Sequence, residues 1–197
     1  HQTTDDPRHD LPMVYAKLLR QLNRRNPISF FVFENVMGLL GEKHIEKYKK
    51  FRASFQRAGF TLFEQKLNAV DYGVPQDRPR LFIVGVNRRL HPKTKWLPPE
   101  PLNNTLTVKD AIFDLDEPEY NSPRIDPAMV PVHPNHICMV PRSRKFTDGV
   151  MTPGTAMGRC FRVLDWGQPS WTVAYGNREV HVHPRGHRRL SMYEAMK

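Results

Sequence analysis

A single carboxylate closes one apolar run of this sequence, and an amide and two guanidiniums at alternate positions open another. Glu34 follows Ile28-Ser29-Phe30-Phe31-Val32-Phe33 and precedes Asn35-Val36. Ligands of open α/β sheets bind beyond the carboxyl ends of strands, so a carboxyl group there is placed to give or take a proton. The same position also suits a residue that marks a strand end and faces water. Gln76, Arg78 and Arg80 stand at i, i+2 and i+4 just before Leu81-Phe82-Ile83-Val84-Gly85-Val86. In extended chain all three side chains share one face. They then form a rigid set of donors for a phosphate or carbonyl oxygen, or else a solvated edge. Pro79 donates no ladder hydrogen bond, which places its part of the chain at an edge or outside pairing.

The surrounding elements must position these groups. Ile28 to Val36 is rich in aromatic and β-branched residues and reads as a strand buried on both faces, as in a parallel sheet. Before it, Met13, Val14, Leu18, Leu19 and Leu22 recur at helical spacing, with Lys17, Arg20, Arg24 and Arg25 mostly elsewhere. Pro12 suits the first turn, and Asn26-Pro27 stops the helix. Gly38 to Gly41 reads as a loop. Glu42 to Ala58 reads as a second amphipathic helix capped by Gly59, with Lys47, Lys49 and Lys50 solvated. Phe60 to Val70 and Leu81 to Val86 read as strands. Helix–strand–helix–strand order predicts an α/β class, half of a layered domain. After Asn87 prolines become frequent and long periodic segments vanish, apart from a short helix around Val108 to Leu115. Phe161 to Leu164 and Trp171 to Tyr175 read as short strands of a loop-rich region. Ser191-Met192-Tyr193-Glu194 is a Ser-x-x-Glu capping box announcing a helix.

Composition narrows the partners. The 197 residues carry 30 Lys and Arg against 20 Asp and Glu, a formal charge of +10. That surplus favours an anionic partner, of which nucleic acid is the commonest. Residues 141 to 197 hold ten basic and four acidic residues, whereas 109 to 119 hold one basic and five acidic. No apolar run approaches the length of a membrane span. The two cysteines, Cys138 and Cys160, build no disulfide framework, which fits a reducing compartment.

Taken together, Phe31-Val-Phe-Glu-Asn-Val-Met-Gly-Leu-Leu40 and Asn68-Ala-Val-Asp-Tyr-Gly-Val-Pro-Gln-Asp-Arg-Pro-Arg-Leu-Phe-Ile-Val-Gly85 closely resemble the DNA cytosine-5 methyltransferases. Glu34, Asn35 and Val36 match the family's Glu-Asn-Val motif, and Gln76, Arg78 and Arg80 its Gln-x-Arg-x-Arg motif. Asp6-Pro-Arg-His-Asp-Leu11 is similar to the family's Asp-x-Arg-x-x-Leu segment, and Thr107 to Leu115 to the segment opening its recognition region. Arg188-Arg-Leu-Ser-Met-Tyr-Glu194 resembles Arg-x-Leu-Thr-x-x-Glu, with Ser191 in place of Thr.

The resemblance implies a partial Rossmann-like methyltransferase sheet over residues 1–97, a mainly β target-recognition domain over 98–185, and a return to the catalytic domain at 186–197. It implies that Glu34 meets the N3 and amine edge of a flipped cytosine, that Arg80, with Arg78, meets O2, and that Asn35 fixes the strand-end turn. S-adenosylmethionine is the implied methyl donor, and double-stranded DNA the partner, in a cytoplasmic bacterial restriction–modification setting. The expected DNA contacts are Gln76, Arg142, Ser143, Arg144, Lys145, Thr147, Arg159, Arg162, Asn177 and Arg178. Trp171 is expected in the core or as a wedge beside the groove. The family's Pro-Cys nucleophile and its Phe-x-Gly-x-Gly cofactor motif do not occur in the sequence. Cys138 and Cys160 are expected to be small buried residues. The chain is therefore expected to be inactive alone and to pair with a missing N-terminal half or a complementary subunit. A binding module without chemistry, and an RNA methyltransferase, are the competing readings. No metal is expected, although His133, His136 and Cys138 with His181, His183 and His187 keep a zinc site in view.

Overall fold

A computed structural model of the chain describes residues 10–158, 160–172 and 180–197. It divides into two compact units, residues 1–67 with 79–100, and residues 68–78 with 101–197.

The first unit is mixed α/β. Helix α1 (Leu11–Arg25) carries Pro12 in its first turn and stops at Asn26, whose backbone turns extended before Pro27. Strand β1 (Phe30–Val36) leads through a 3₁₀ turn at Met37–Leu40 into α2 (Ile45–Arg57). Gly59, at φ +106°, reverses the chain into β2 (Phe60–Asn68). Only glycine takes that backbone conformation without strain. In the second unit β3 (Gln76–Asp77) comes next, and β4 (Pro79–Asn87) then returns to the first unit. The sheet order is β1-β4-β2.

One strand differs from the expectation. β1 lies at the sheet edge and runs antiparallel to β4, with Phe33 opposite Ile83 and Glu34 opposite Phe82. It is not buried on both faces. Phe31 is buried, whereas Phe30, Val32 and Val36 are 62%, 49% and 53% exposed. The cause is the placement of the helices. Ala16, Leu19, Tyr48, Phe51 and Phe55 of α1 and α2 all join one cluster with Phe31, Phe60, Leu81 and Ile83. Both helices therefore cover the same face. Phe55 and Phe60 are fully buried there, with ring centroids each 4.9 Å from that of Phe31. A fully buried Phe is worth ~1.5–3 kcal/mol. Gly85 stands opposite Phe31, and a side chain on it would run into the Phe31 ring.

The second unit consists of short elements. Helix α3 (Val108–Ile112) has a reciprocal capping box between Thr107 and Asp110. The strands are β5 (Glu119–Tyr120), β6 (Ile137–Cys138), β7 (Ala156–Met157), β8 (Phe161–Val163), β9 (Ser170–Trp171) and β10 (His181–Val182). They form the order β10-β8-β7 and the pairs β3-β9 and β5-β6. One apolar cluster gathers Val108, Ile112, Leu164 and Leu190, with half-buried Trp171 packed against it. Trp171 is thus a core-flanking residue. Beyond Thr172, the Trp171–Tyr175 stretch lies outside the described residues. The Ser191–Glu194 capping box is formed, with Ser191 N–H donating to Glu194 at 2.7 Å and Glu194 N–H to Ser191 at 3.0 Å. The box opens a short 3₁₀ helix, Glu194–Met196, where a helix was expected.

Candidate active site

Glu34 and Arg80 meet on the sheet face of the first unit that α1 and α2 leave uncovered. Glu34 is near the end of β1 and Arg80 near the start of β4, one diagonal step apart in the antiparallel register. That step is within reach of long side chains. Arg80 Nε donates to Glu34 Oε1 at 2.9 Å. The Arg80 side chain is 14% exposed and that of Glu34 42%. Arg80 also donates from Nη1 to the Pro79 carbonyl at 2.9 Å, which fixes its rotamer. A half-exposed pair of this kind stabilises little. The single Nε contact orients the carboxylate, whose side chain stays 42% exposed. Asn35 turns inward, and its side-chain oxygen accepts the Val36 N–H at 2.9 Å, pinning the strand end.

Gln76 and Arg78 belong to the second unit. Gln76 is on β3, paired in parallel with Ser170 of β9. The Arg78 N–H donates to the Asn68 side chain at 2.7 Å, and Asn68 donates in turn to Asp77 at 2.7 Å. The turn carrying the two residues is thereby rigid. Thr172 adds a bond from its hydroxyl to the Asp77 carbonyl at 2.9 Å.

The expected DNA contacts fall into three places. Ser143 caps a 3₁₀ turn over Arg144–Phe146 that presents Arg144 and Lys145 outward. Thr147 turns back, its hydroxyl donating to the Arg144 carbonyl at 2.8 Å. Arg142 lines a groove of about 430 Å³ with Asn121, Met139, Phe146, Phe161 and Arg189. Arg162 lies over the Trp171 ring, 5.9 Å from its centroid. Arg159, Asn177 and Arg178 lie outside the described residues, as does most of the Asp6–Leu11 match. Sequence reasoning missed Arg189, whose guanidinium sits 4.7 Å over Phe161 beside Arg142's groove. Its neighbour Arg188 is almost fully buried, so the motif's two arginines do different work.

Arg188 is a fastener. Its Nη1 and Nη2 donate to the two Glu194 oxygens at 2.8 Å each, and its Nε donates to Glu117 at 2.6 Å. Burial raises the Glu117 pKa, but Arg188 and then His187 outweigh it and bring the carboxyl down to about 2. The resemblance motif thus binds the acidic stretch around Glu117 to the chain's last turn. His136 is tied into the same core. Its two ring nitrogens are at 3.0 Å from the Ser191 hydroxyl and 2.7 Å from the Asp116 carbonyl. Among the described residues, no three of His, Cys, Asp and Glu cluster as metal ligands.

The cysteines differ. Cys138 is buried, and burial pushes its thiol up to about 11. Cys160 is exposed, contrary to the expectation, because it lies in the turn between β7 and β8. Neither follows a proline.

S-adenosylmethionine needs a slot for adenine, a partner for its ribose hydroxyls and tolerance of a sulfonium cation. The groove of the first unit is lined by five arginines, two asparagines, Ala58 and Gly59, which repels a sulfonium. The described residues that line this groove do not fit the cofactor. Among the described residues no helix is long and apolar enough to cross a membrane.

This arrangement has relatives. A type II methyltransferase of Methanothermobacter thermautotrophicus, M.MthTI, is 34% identical over 188 residues, covering 95% of this chain and 52% of that protein. M.FnuDI of Fusobacterium nucleatum is 30% identical, covering 92% of this chain and 49% of its own length. The chain thus spans about half the length of these curated relatives. The crystal structure of a putative prophage-encoded DNA modification methyltransferase from E. coli superposes with a TM-score of 0.70 at 20% identity. That match covers 97% of this chain and 63% of the other, and shows a shared fold. The model of the C-5 cytosine-specific DNA methylase family matches residues 1–197, a span that takes in Glu34 and Arg80, and it is to that family that this chain belongs.

Proposed function

We propose that the chain supplies the acid, the cationic clamp and the recognition region of an enzyme that methylates C5 of cytosine in duplex DNA. Cytosine C5 is a poor nucleophile. Addition of a thiolate at C6 makes it enamine-like and pushes negative charge onto N3 and O2. A carboxyl group that donates at N3 and an arginine that donates at O2 drain that charge. In this reading Arg80 holds Glu34 by one oxygen and leaves the other for N3 and the exocyclic amine. Arg80, with Arg78, faces O2, and Asn35 keeps the strand end in place. A base inside a duplex cannot reach such a site, so the cytosine is flipped out. Residues 1–97 act as the second half of the catalytic domain, 98–185 as the recognition domain, and 186–197 as the return segment. Gln76, Arg142, Arg144, Lys145, Arg159, Arg162 and Arg178 contact the DNA, those of the recognition region as readers of base edges in the major groove, with lysines and arginines at its rim on phosphates.

The observation that supports this reading most is the 2.9 Å Arg80–Glu34 contact on residues that match the family's two motifs. The Pro-Cys thiolate and the S-adenosylmethionine site lie outside these 197 residues, in an N-terminal half or a complementary subunit, and these residues alone do not turn over. The test is tritiated methyl transfer to duplex DNA by the chain alone and by the chain joined to a relative's Pro-Cys-bearing half. Transfer only in the second case is expected. Robust transfer by the chain alone, or a joined protein that binds DNA without transferring methyl groups, contradicts the proposal.

A further inference from the structure

The first unit carries a second cationic feature, at the opposite end of β1 from Glu34. Arg20 and Arg24 of α1, Arg57 at the end of α2, and Arg88 and Arg89 beyond β4 surround one open groove of about 370 Å³. Its remaining lining among the described residues is Asn23, Ala58, Gly59 and Asn87, with no carboxylate. Ser29, which accepts the Asn87 N–H, is five residues from Glu34, so about 17 Å of strand separates groove and carboxylate.

Helical spacing alone reads Arg20 and Arg24 as a solvated face. The fold adds arginines from two other segments, and it does so over a rigid floor. Asn23 donates to the Ala58 carbonyl at 3.0 Å and accepts from the Ile28 N–H at 2.9 Å. Asn87, 3% exposed, donates to the Asn23 side chain at 3.1 Å and the Ile28 carbonyl at 2.9 Å. Asn87 also accepts the Arg89 N–H at 3.0 Å. Two amides thus knot the ends of α1, α2 and β4 to the start of β1. Around that knot Arg57 is braced on Ser54 at 2.9 Å and Arg88 on the Gln56 carbonyl at 2.7 Å. No hydrogen bond or ion pair among the described residues engages the guanidiniums of Arg20, Arg24 or Arg89.

Five like charges gathered over a fixed floor, without an acidic neighbour among the described lining residues, repel one another unless an anion joins them. Guanidinium forks match phosphate oxygens. One phosphate does not neutralise five cations, and an open groove does not enclose a small ligand. We propose that this groove holds a run of nucleic-acid backbone phosphates, a DNA contact separate from the Glu34 site and from the recognition residues 142–145. The inference rests on the reading of the chain as part of a DNA-acting enzyme.

The test measures binding of the full 197-residue chain to a fluorescent 30-base-pair duplex by anisotropy, over a KCl series. Each lost phosphate contact flattens the slope of log K against log[salt] by about 0.9. Arg20→Ala/Arg24→Ala/Arg89→Ala, checked for folding by circular dichroism, is expected to flatten it by about 2–3. The charge-matched control Lys43→Ala/Lys50→Ala/Lys66→Ala, outside the groove, is expected to flatten it by less than 1. Equal slopes for the two triple variants, or displacement of the duplex by low-millimolar inorganic phosphate, overturns the groove. A slope lowered only by Arg142→Ala/Arg144→Ala/Lys145→Ala overturns the groove and leaves the enzyme reading standing. A wild-type chain that binds no duplex overturns both.

Discussion

Arg188→Met removes one guanidinium from a place where nothing can replace it. The residue is 1% exposed and donates to Glu194 through two 2.8 Å bonds and to Glu117 through one of 2.6 Å. After the change Glu194, 4% exposed, retains the Ser191 N–H as a donor but no counter-ion. Breaking one partner out of a buried pair costs ~3–5 kcal/mol. Glu117 has a side chain 52% exposed and regains water, so it adds little. The assay is urea unfolding of the chain at pH 7. With a slope of ~1–3 kcal/mol per molar urea, the midpoint should fall by about 1 M or more. Arg188→Met/Glu194→Met removes both charges and should recover most of that loss, because an apolar pair needs no counter-ion. A single variant whose midpoint stays within about 0.3 M of wild type, less than ~1 kcal/mol, refutes the reasoning. So does a double variant less stable than the single one.

Acid should loosen the second unit in two stages. Burial holds the His183 imidazole near 4, against an ordinary 6.5. The unfolded chain therefore takes up that proton first, and stability present above pH 6.5 falls as pH drops toward 4. Glu117, ordinarily near 4.5 and about 2 when folded, contributes above 4.5 and loses that contribution as pH falls through 2. Urea midpoints across this range check both stages, and a flat profile from 6.5 to 4 contradicts the first. Thiol titration of the native chain should modify Cys160 quickly and Cys138 only on unfolding, and two fast thiols would count against the buried assignment. Gly85→Ala should cost about 1–3 kcal/mol through overpacking against Phe31; an unchanged thermal midpoint contradicts that close approach.

Much of the first unit was legible because local chemistry set its boundaries. Asn26-Pro27 ended α1, Gly59 turned the chain out of α2, and the apolar runs marked β1 and β4. Which faces of β1 are buried was not legible. Aromatic and β-branched residues suit a strand covered on both faces and one covered on a single face, and only the placement of α1 and α2 decides between them. The Ser191–Glu194 box was readable as a spacing, but the burial of Arg188 was not, since isolated charges read as surface. Glu34 and Arg80 could be named from their motifs. Their 2.9 Å contact depends on antiparallel register, which spacing does not disclose. The arginine groove stayed hidden for the same reason: its side chains come from three segments held by Asn23 and Asn87.

The central claim is that Glu34, held by Arg80, serves the base during methyl transfer and not the binding of the duplex. Glu34→Gln keeps the size and loses the ionisable proton. In the enzyme completed with its Pro-Cys-bearing half, single-turnover tritiated methyl transfer at saturating DNA should fall by about 10²–10⁴-fold, with the duplex dissociation constant unchanged. Transfer at the wild-type rate, or a loss accounted for by weaker DNA binding, contradicts the claim.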